Sequence, residues 1–286
     1  SYDAALKSID RIAKPSAQIL EAKQKILFQL GTQSFANADF EQALKYLNQS
    51  IAIGQYNRQT KADALYWRGE AYYRLNRMEE AKRNFTDYLQ LTQQTHNEMY
   101  ALAHYNLGYI AFHQKDYTQA QSWFRKYISL EKGENKTALA DAYNRIGDCY
   151  LDVRNFDEAK HYYSQAEAMN TPSGDYSFYQ LALGSGLQKD YSGKITLLNR
   201  LAGKYPASPY AISALYEKGR SYVLMDNNQQ AIASFKELLA KYPESPVSRK
   251  AAAEIGLLYY QNEDYDQAIN AYKQVVQKYP GSDEAR

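Results

Sequence analysis

The stretch DYDQAINAYKQVVQKYP, Asp264 to Pro280, decides the fold of this 286-residue chain. Its apolar residues step by three and four, which is the spacing of one face of an α-helix. Pro280 lacks the N–H that a helix interior needs and disfavours helical backbone at Tyr279, so the helix is expected to end there. The preceding segment, SRKAAAEIGLLYYQN, is also predicted to be helical, and the link QNEDY is long enough only for a tight antiparallel turn. The unit is therefore predicted to be a helical hairpin.

The same hairpin signature returns along the chain. The Tyr-Pro pair recurs with its tyrosine at 205, 242 and 279, and Ser208 and Ser245 after the first two pairs are predicted to cap the next helix, with Pro209 and Pro246 in its first turn. Aligning one glycine in each first helix gives Gly31, Gly69, Gly108, Gly147, Gly184, Gly219 and Gly256. Six of these are followed by an alanine and then a bulky residue at fixed distances, as close helix packing requires. The fifth copy lacks the alanine. Seven hairpins are therefore predicted.

These marks resemble the tetratricopeptide repeat family over nearly the whole chain. The pieces that carry the resemblance are Leu-Gly pairs such as Leu107-Gly108, a tyrosine three residues after the glycine as at Tyr150, the alanine, the aromatic residue and the Tyr-Pro pair. The spacing is longer than the family's usual repeat, and Arg68 and Lys218 replace the apolar residue before the glycine. The resemblance implies an all-α fold, an α-solenoid in the form of a right-handed superhelix of antiparallel helical hairpins.

One solenoid domain covering residues 1–286 is expected. Its first segment, SYDAALKSIDRIAK, superposes on the second helix of the last hairpin, so it is predicted to be a half repeat without its first helix. About seven repeats follow, at about 16–55, 58–94, 97–131, 134–170, 175–206, 208–243 and 245–280. Because a solenoid end needs a polar cap and neither end shows one, we expect a fragment of a longer repeat array.

The composition argues against several function classes. Lys and Arg number 34 against 32 Asp and Glu, and a net charge of +2 without a basic run offers no footprint for nucleic acid. No apolar stretch is long enough for membrane insertion. The single cysteine, Cys149, and four scattered histidines fit no metal spacing, and His104 is expected to be a hydrogen-bonded core residue. No catalytic motif appears. The sequence therefore predicts no catalytic residue, no metal, no cofactor and no enzymatic activity.

In the family that the chain resembles, the first helices line a concave groove, and this implies a set of ligand-binding positions. Aromatic residues are what binding hot spots favour, because they give large contact area at low entropy cost. The alternative is that the tyrosines fill gaps between neighbouring hairpins. The candidate groove residues are Tyr66, Tyr73, Arg74, Tyr105, Tyr109, Phe112, Asp141, Asn144, Asp148, Asp152, Tyr216 and Arg220.

The predicted function is a non-enzymatic scaffold that binds a peptide or helical partner. The alternatives are the recruiting arm of a larger enzyme or regulator, and a carbohydrate or small-molecule binder. Asp141, Asp148 and Asp152 suggest a partner with Lys or Arg beside an apolar residue, unless Arg145 or Arg154 neutralises them. The Tyr-Pro marks resemble those of bacterial cell-envelope members of the family, which favours the periplasm or envelope of a Gram-negative bacterium over the cytoplasm. The sequence does not indicate an oligomeric state.

Overall fold

The computed structural model describes residues 1–286 and contains helices without any strand. The predicted all-α hairpin-repeat fold is confirmed. The fifteen α-helices are α1 (Tyr2–Asp10), α2 (Ala17–Ala36), α3 (Phe40–Ala52), α4 (Arg58–Arg74), α5 (Met78–Thr92), α6 (Tyr100–His113), α7 (Tyr117–Leu130), α8 (Lys136–Asp152), α9 (Phe156–Ala168), α10 (Gly174–Leu187), α11 (Tyr191–Lys204), α12 (Ala211–Leu224), α13 (Asn228–Lys241), α14 (Pro246–Gln261) and α15 (Tyr265–Lys278). Short 3₁₀ turns lie at Gly54–Tyr56 and Asp283–Ala285.

The helices from α2 onward pair into seven antiparallel hairpins, and each hairpin turns in the same way. One non-glycine residue of every turn has a positive φ, between 57° and 64°. These turn residues are Ala38, Asn76, Lys115, Arg154, Lys189, Asp226 and Glu263. The second helix then begins after a polar cap in most hairpins; Asp116 and Asp264, for example, accept a hydrogen bond from a backbone N–H three residues later. A left-handed turn residue followed by an N-cap therefore sets the register of each hairpin.

The turn residues correct the predicted register of the fifth hairpin. In the other six hairpins the aligned glycine lies seven residues before the turn residue, as Gly108 does before Lys115. Seven residues before Lys189 is Ala182, not Gly184. An added Cβ on Gly184 would meet only the flexible side chain of Lys160, at 3.5 Å, so this glycine marks no close approach. Lys194 then takes the place of the alanine, and Leu198 that of the bulky residue.

In six of the seven hairpins a glycine of the first helix packs against a large residue of the second, and in the fifth Ala182 takes the place of the glycine. A Cβ on Gly108 would lie 2.8 Å from the ring of Phe124, and one on Gly147 would lie 2.6 Å from the ring of Tyr163. Both rings are fully buried. The predicted pairing of small and bulky residues between the two helices is therefore present, and it leaves no room for a methyl group at the glycine.

The predicted caps after the Tyr-Pro pairs behave differently from each other. Ser245 is the N-cap of α14, with Pro246 as the first helical residue, as predicted. Ser208 is not a helix cap, because α12 begins only at Ala211. The Ser208 hydroxyl instead donates to the carboxylate of Asp175 at 2.6 Å and accepts from the N–H of Tyr210 at 3.1 Å, so it stabilises the turn before the helix.

The hairpins fall into two compact units, residues 1–132 and 133–286. The first holds α1 to α7 and the second holds α8 to α15, and each is described by itself below. That the whole chain forms a single domain stays a prediction. None of the helices has the length and apolar character needed to cross a membrane.

Candidate functional site

In the first unit, a strip of aromatic rings runs along the first helices α4 and α6. The hydroxyl of Tyr73 lies 2.9 Å from Nε2 of His113, so these two helices are joined at the strip. The ring of Tyr109 lies 6.1 Å from that of His113, and 5.1 Å from that of Tyr105. Phe112 is 6.5 Å from Tyr109. Each of these side chains is partly or largely exposed. The structure thus brings together four predicted groove residues with His113.

Arg74 lies close to this strip, at the end of α4. Its guanidinium is 5.7 Å from the centroid of the Phe35 ring, and Phe35 in turn contacts the rings of Phe40 and Trp67. A cation over an aromatic face is held by the ring quadrupole and keeps its outward donors. The guanidinium of Arg74 is therefore exposed beside apolar surface, where it could bind a carboxylate.

Tyr66 does not belong to the accessible surface. It is 1% exposed, and its ring packs against those of Tyr88 and Phe85. Its hydroxyl donates to Glu70 at 2.8 Å and accepts from the amide of Asn106 at 3.0 Å. Burial and the charge of Glu70 raise the pKa of this phenol. Tyr66 therefore packs between its own hairpin and the next one.

In the second unit, Asp148 lies at the centre of a hydrogen-bonded network. Its Oδ1 accepts from the hydroxyls of Tyr163 at 2.5 Å and Tyr176 at 2.8 Å, and its Oδ2 lies 2.8 Å from the guanidinium of Arg145. Arg145 also stacks on the Tyr176 ring at 4.9 Å and approaches Asp141 at 3.7 Å. Burial raises the pKa of Asp148, although Arg145 opposes this shift. Arg145 therefore pairs with Asp148 and approaches Asp141, whereas no ion pair joins it to Asp152.

The other predicted residues of the second unit lie on two helices, α8 and α12. Asn144 is fully buried and accepts a hydrogen bond from Ser177, so it cannot meet a partner. Asp152 is exposed at the end of α8. Tyr216 donates to Glu254 at 2.7 Å, and Arg220 lies 3.6 Å from the same carboxylate. Glu254 of α14 therefore holds both α12 residues.

Sequence reasoning missed Tyr176 and Glu254 as members of these networks. With the fifth hairpin in its correct register, Tyr176 lies six residues before Ala182, which is the groove-facing position that Asp141 occupies before Gly147. The Leu183-Gly184 pair imitates the repeat mark two residues further on, and it hides the groove-facing position of Tyr176 in the sequence. Glu254 lies outside the predicted groove positions, and only the fold brings it to Tyr216.

The remaining reactive side chains are structural. His104 is 4% exposed, its Nδ1 lies 2.8 Å from the carbonyl of Tyr100, and burial lowers its pKa, so its predicted core role is confirmed. Cys149 is fully buried, and burial raises the pKa of its thiol to about 12, which keeps it protonated and unreactive. No group of three or more His, Cys, Asp or Glu side chains could hold a metal ion.

Successive antiparallel helical hairpins define a class of protein, the helical-repeat interaction scaffolds. Three family models described as tetratricopeptide repeat match residues 63–91, 98–171 and 216–283. The chain belongs to the tetratricopeptide repeat family.

Solved structures share the fold at low identity. The C-terminal part of a TPR repeat-containing protein from Cytophaga hutchinsonii is 18% identical, with a TM-score of 0.72 over 90% of this chain and 97% of that one. A signal transduction ATPase with a tetratricopeptide repeat sensor, from Pyrococcus horikoshii, is 19% identical, with a TM-score of 0.66 over 93% of this chain and 44% of that one. PilF of Pseudomonas aeruginosa is 16% identical, with a TM-score of 0.57 over 82% and 99%. These likenesses show the fold alone.

One curated relative matches in sequence. It is the uncharacterized protein ycf37 of Guillardia theta, 40% identical over 62 residues, which are 22% of this chain. The match spans about a third, 35%, of that relative's length. The family and the fold are those of protein-interaction scaffolds.

Proposed function

We propose that this chain is a protein-interaction scaffold that binds a peptide or helix of a partner along the aromatic strip of the first unit. The observation that carries the proposal is the continuity of the strip, from Tyr73 through His113 and Tyr109 to Tyr105 and Phe112. Rings in mutual contact on adjacent first helices form a wide, rigid surface, and little side-chain entropy is lost when a partner covers it.

The strip suits a partner with apolar side chains and hydrogen-bonding groups. Tyr73 and His113 already bond to each other, so their polar atoms orient the rings and leave the apolar faces for contact. The exposed guanidinium of Arg74 adds a place for a partner carboxylate at one end. The anchoring contribution is assigned to Tyr109, because its ring lies at the centre of the strip.

The test is a photo-crosslinking residue placed at Tyr109, with a matched chain that carries it at Thr118, an exposed position on α7. A partner captured only from the Tyr109 position is then purified and its affinity measured by calorimetry. Tyr109→Ala is expected to cost about 1–2 kcal/mol, a weakening of about 5- to 30-fold, while Thr118→Ala leaves the affinity unchanged. Equal capture from both positions, or an unchanged affinity of Tyr109→Ala, contradicts the proposal.

A second candidate is that the chain is the recruiting or sensing part of a larger regulator. The likeness to the Pyrococcus horikoshii protein favours it. The match spans 44% of that protein, which is a signal transduction ATPase with a tetratricopeptide repeat sensor. The reading frame that encodes this chain provides the test: a catalytic domain beside residues 1–286 would support this candidate, and its absence from the full reading frame would exclude it.

A further inference from the structure

A pocket of about 390 Å³ lies in the second unit, where the last hairpin, α14 with α15, meets α13. Its floor is apolar and buried, and it includes Ala252 and Ile255 from α14 and Ala271 from α15. A volume of this size lies within the range of pockets that hold small organic molecules in proteins.

The repeat explains why a pocket exists at this place. The side chain four positions before the aligned glycine of a first helix faces the side chain fifteen positions after that glycine, on the second helix. His104 and Trp123 form such a pair in the third hairpin, with ring centroids 5.8 Å apart. Tyr143 and Tyr162 form the same pair in the fourth hairpin, at 6.2 Å. Large side chains therefore fill this space between the two helices.

The last hairpin has a small residue at both of these positions, Ala252 and Ala271. In the other six hairpins, counted from Ala182 in the fifth, the first-helix position holds Leu27, Leu65, His104, Tyr143, Phe178 and Leu215. Protein interiors are normally filled to a high density. The pocket is therefore the space that a leucine or an aromatic side chain occupies at the same position of the other hairpins.

The rim of the pocket is positively charged. Lys236 and Lys278 line it, and no Asp or Glu does. Their ammonium groups lie beside aromatic rings, 5.4 Å from the ring centroid of Tyr259 and 5.8 Å from that of Tyr279. Asp264 lines an adjoining cleft beside Lys236, but its carboxylate is engaged as the N-cap of α15. The pocket thus combines an apolar floor with positive charge that has no counter-ion inside it.

Lys236 and Tyr259 form a pair of hydrogen-bond donors at this rim. The ammonium of Lys236 donates to the hydroxyl of Tyr259 at 2.8 Å. An ammonium has three N–H donors, and a phenol that accepts one hydrogen bond still has its own O–H to donate. The amide side chains that also line the pocket are neutral; they are Gln267, Asn270 and Gln274. Hydrogen bonds of the donor pair to a carboxylate would be charge-assisted and hence strong.

We propose that this pocket binds a small organic carboxylate, with its aromatic or branched aliphatic group on Ala252 and Ala271 and its carboxylate at Lys236 and Tyr259. The size of the apolar group follows from the side chains that fill this space in the other hairpins, and the negative charge follows from the lysines. The inference goes beyond the proposed scaffold function, because the pocket lies in the second unit and the aromatic strip lies in the first.

The experiment titrates the intact chain with sodium phenylpropionate and follows the methyl resonances of Ala252 and Ala271 by NMR. Saturable shifts of both methyl groups are expected, with a Kd on the order of 1 mM for so small a ligand. Phenylpropanamide has the same shape without the charge and is expected to bind about 10-fold more weakly. Sodium acetate has the charge without the ring and is expected to give no saturable shift.

Variants test the floor and the rim of the pocket separately. Ala252→Leu introduces the residue that Leu215 provides in the preceding hairpin, so it should fill the pocket and abolish binding. Lys236→Met keeps the length of the side chain without its charge and should weaken phenylpropionate binding about 10-fold. Tyr259→Phe should weaken it about 3-fold. The matched control is Lys273→Met, an exposed lysine of α15 outside the pocket, which should bind like the parent.

Four results would overturn the proposal: no saturable shift of the two methyl groups, equal affinity for phenylpropionate and its amide, or undiminished binding by either Ala252→Leu or Lys236→Met. The comparison of acid and amide uses the parent chain, so it decides the question even if the filled variant does not fold. The measurement needs no partner protein, and neither its success nor its failure bears on the aromatic strip of the first unit.

Discussion

The ammonium of Lys194 lies 2.5 Å from the carboxylate of Glu217, in the place where the neighbouring hairpins have an alanine methyl group. Lys194 is 7% exposed, whereas Ala159 and Ala231 at the same position are fully buried or nearly so. A charge at a helix–helix contact is tolerated only with a close counter-ion. Glu217 of α12 therefore supplies the counter-ion that Lys194 of the fifth hairpin needs.

Removing one member of this pair should be worse than removing both. Glu217→Ala leaves a buried ammonium unpaired and is expected to lower the free energy of unfolding by about 2–3 kcal/mol. Lys194→Ala with Glu217→Ala restores the small residue of the other hairpins and should regain most of that loss. Urea denaturation of the two single variants and the double variant checks the coupling. If the losses of the two single variants added up to the loss of the double variant, Lys194 and Glu217 would not be energetically coupled.

The fifth hairpin should be the weakest of the array. It has Lys194 instead of alanine, and Gly184, Gly186 and Gly193 lie inside its helices, where each glycine costs about 0.5–1 kcal/mol relative to alanine. Since each repeat is stabilised by its neighbours, local opening is expected here first. Amide hydrogen exchange should be faster in α10 and α11 than in α6 and α7. Equal protection in the two hairpins would show this expectation to be wrong.

Alanine substitution is expected to have opposite effects on stability at Gly108, which faces an aromatic ring, and at Gly203, which faces open space. Gly108→Ala places a methyl group 2.8 Å from the buried ring of Phe124 and should cost about 1–3 kcal/mol. Gly203→Ala, in α11 with nothing within 4 Å of the added carbon, should stabilise the chain by about 0.5–1 kcal/mol. Thermal unfolding of both variants provides the comparison. A stabilised Gly108→Ala variant would mean that the ring moves aside without cost.

The sequence predicted the hairpins well, because helix periodicity and the Tyr-Pro stops are local signals. It misplaced the fifth hairpin because the Leu-Gly pair at Gly184 imitates the repeat mark, while the true register depends on the left-handed turn at Lys189. A turn conformation at a lysine has no sequence signature.

The candidate site was less predictable than the fold. Whether a groove-facing tyrosine is exposed depends on residues more than thirty positions away, as with Asn106, which covers the hydroxyl of Tyr66. Asp148 also depends on a distant residue, because the hydroxyl of Tyr176, 28 positions away in the next hairpin, donates to its carboxylate. Helix periodicity gives the face of a side chain but not the neighbour that meets it.

The last prediction concerns the stability cost of Asp63. Its pKa is raised from 3.8 to about 6 by burial and by Glu98, so between these values the folded chain binds more protons than the unfolded chain. The free energy of unfolding should therefore fall as the pH rises from about 4 to about 6, and the cost should be fully present above that range.

Asp63→Asn removes this cost and is expected to raise the free energy of unfolding by about 1 kcal/mol at neutral pH, a figure reduced for the partial exposure of the side chain, and by almost nothing near pH 4. Denaturant unfolding of the parent and the variant across this pH range measures the difference, with Glu41→Gln as the exposed control. A gain that is the same at both pH values would show that it does not come from the ionisation of Asp63. A gain confined to neutral pH would show that the ionised carboxylate of Asp63 lowers the stability of the folded chain.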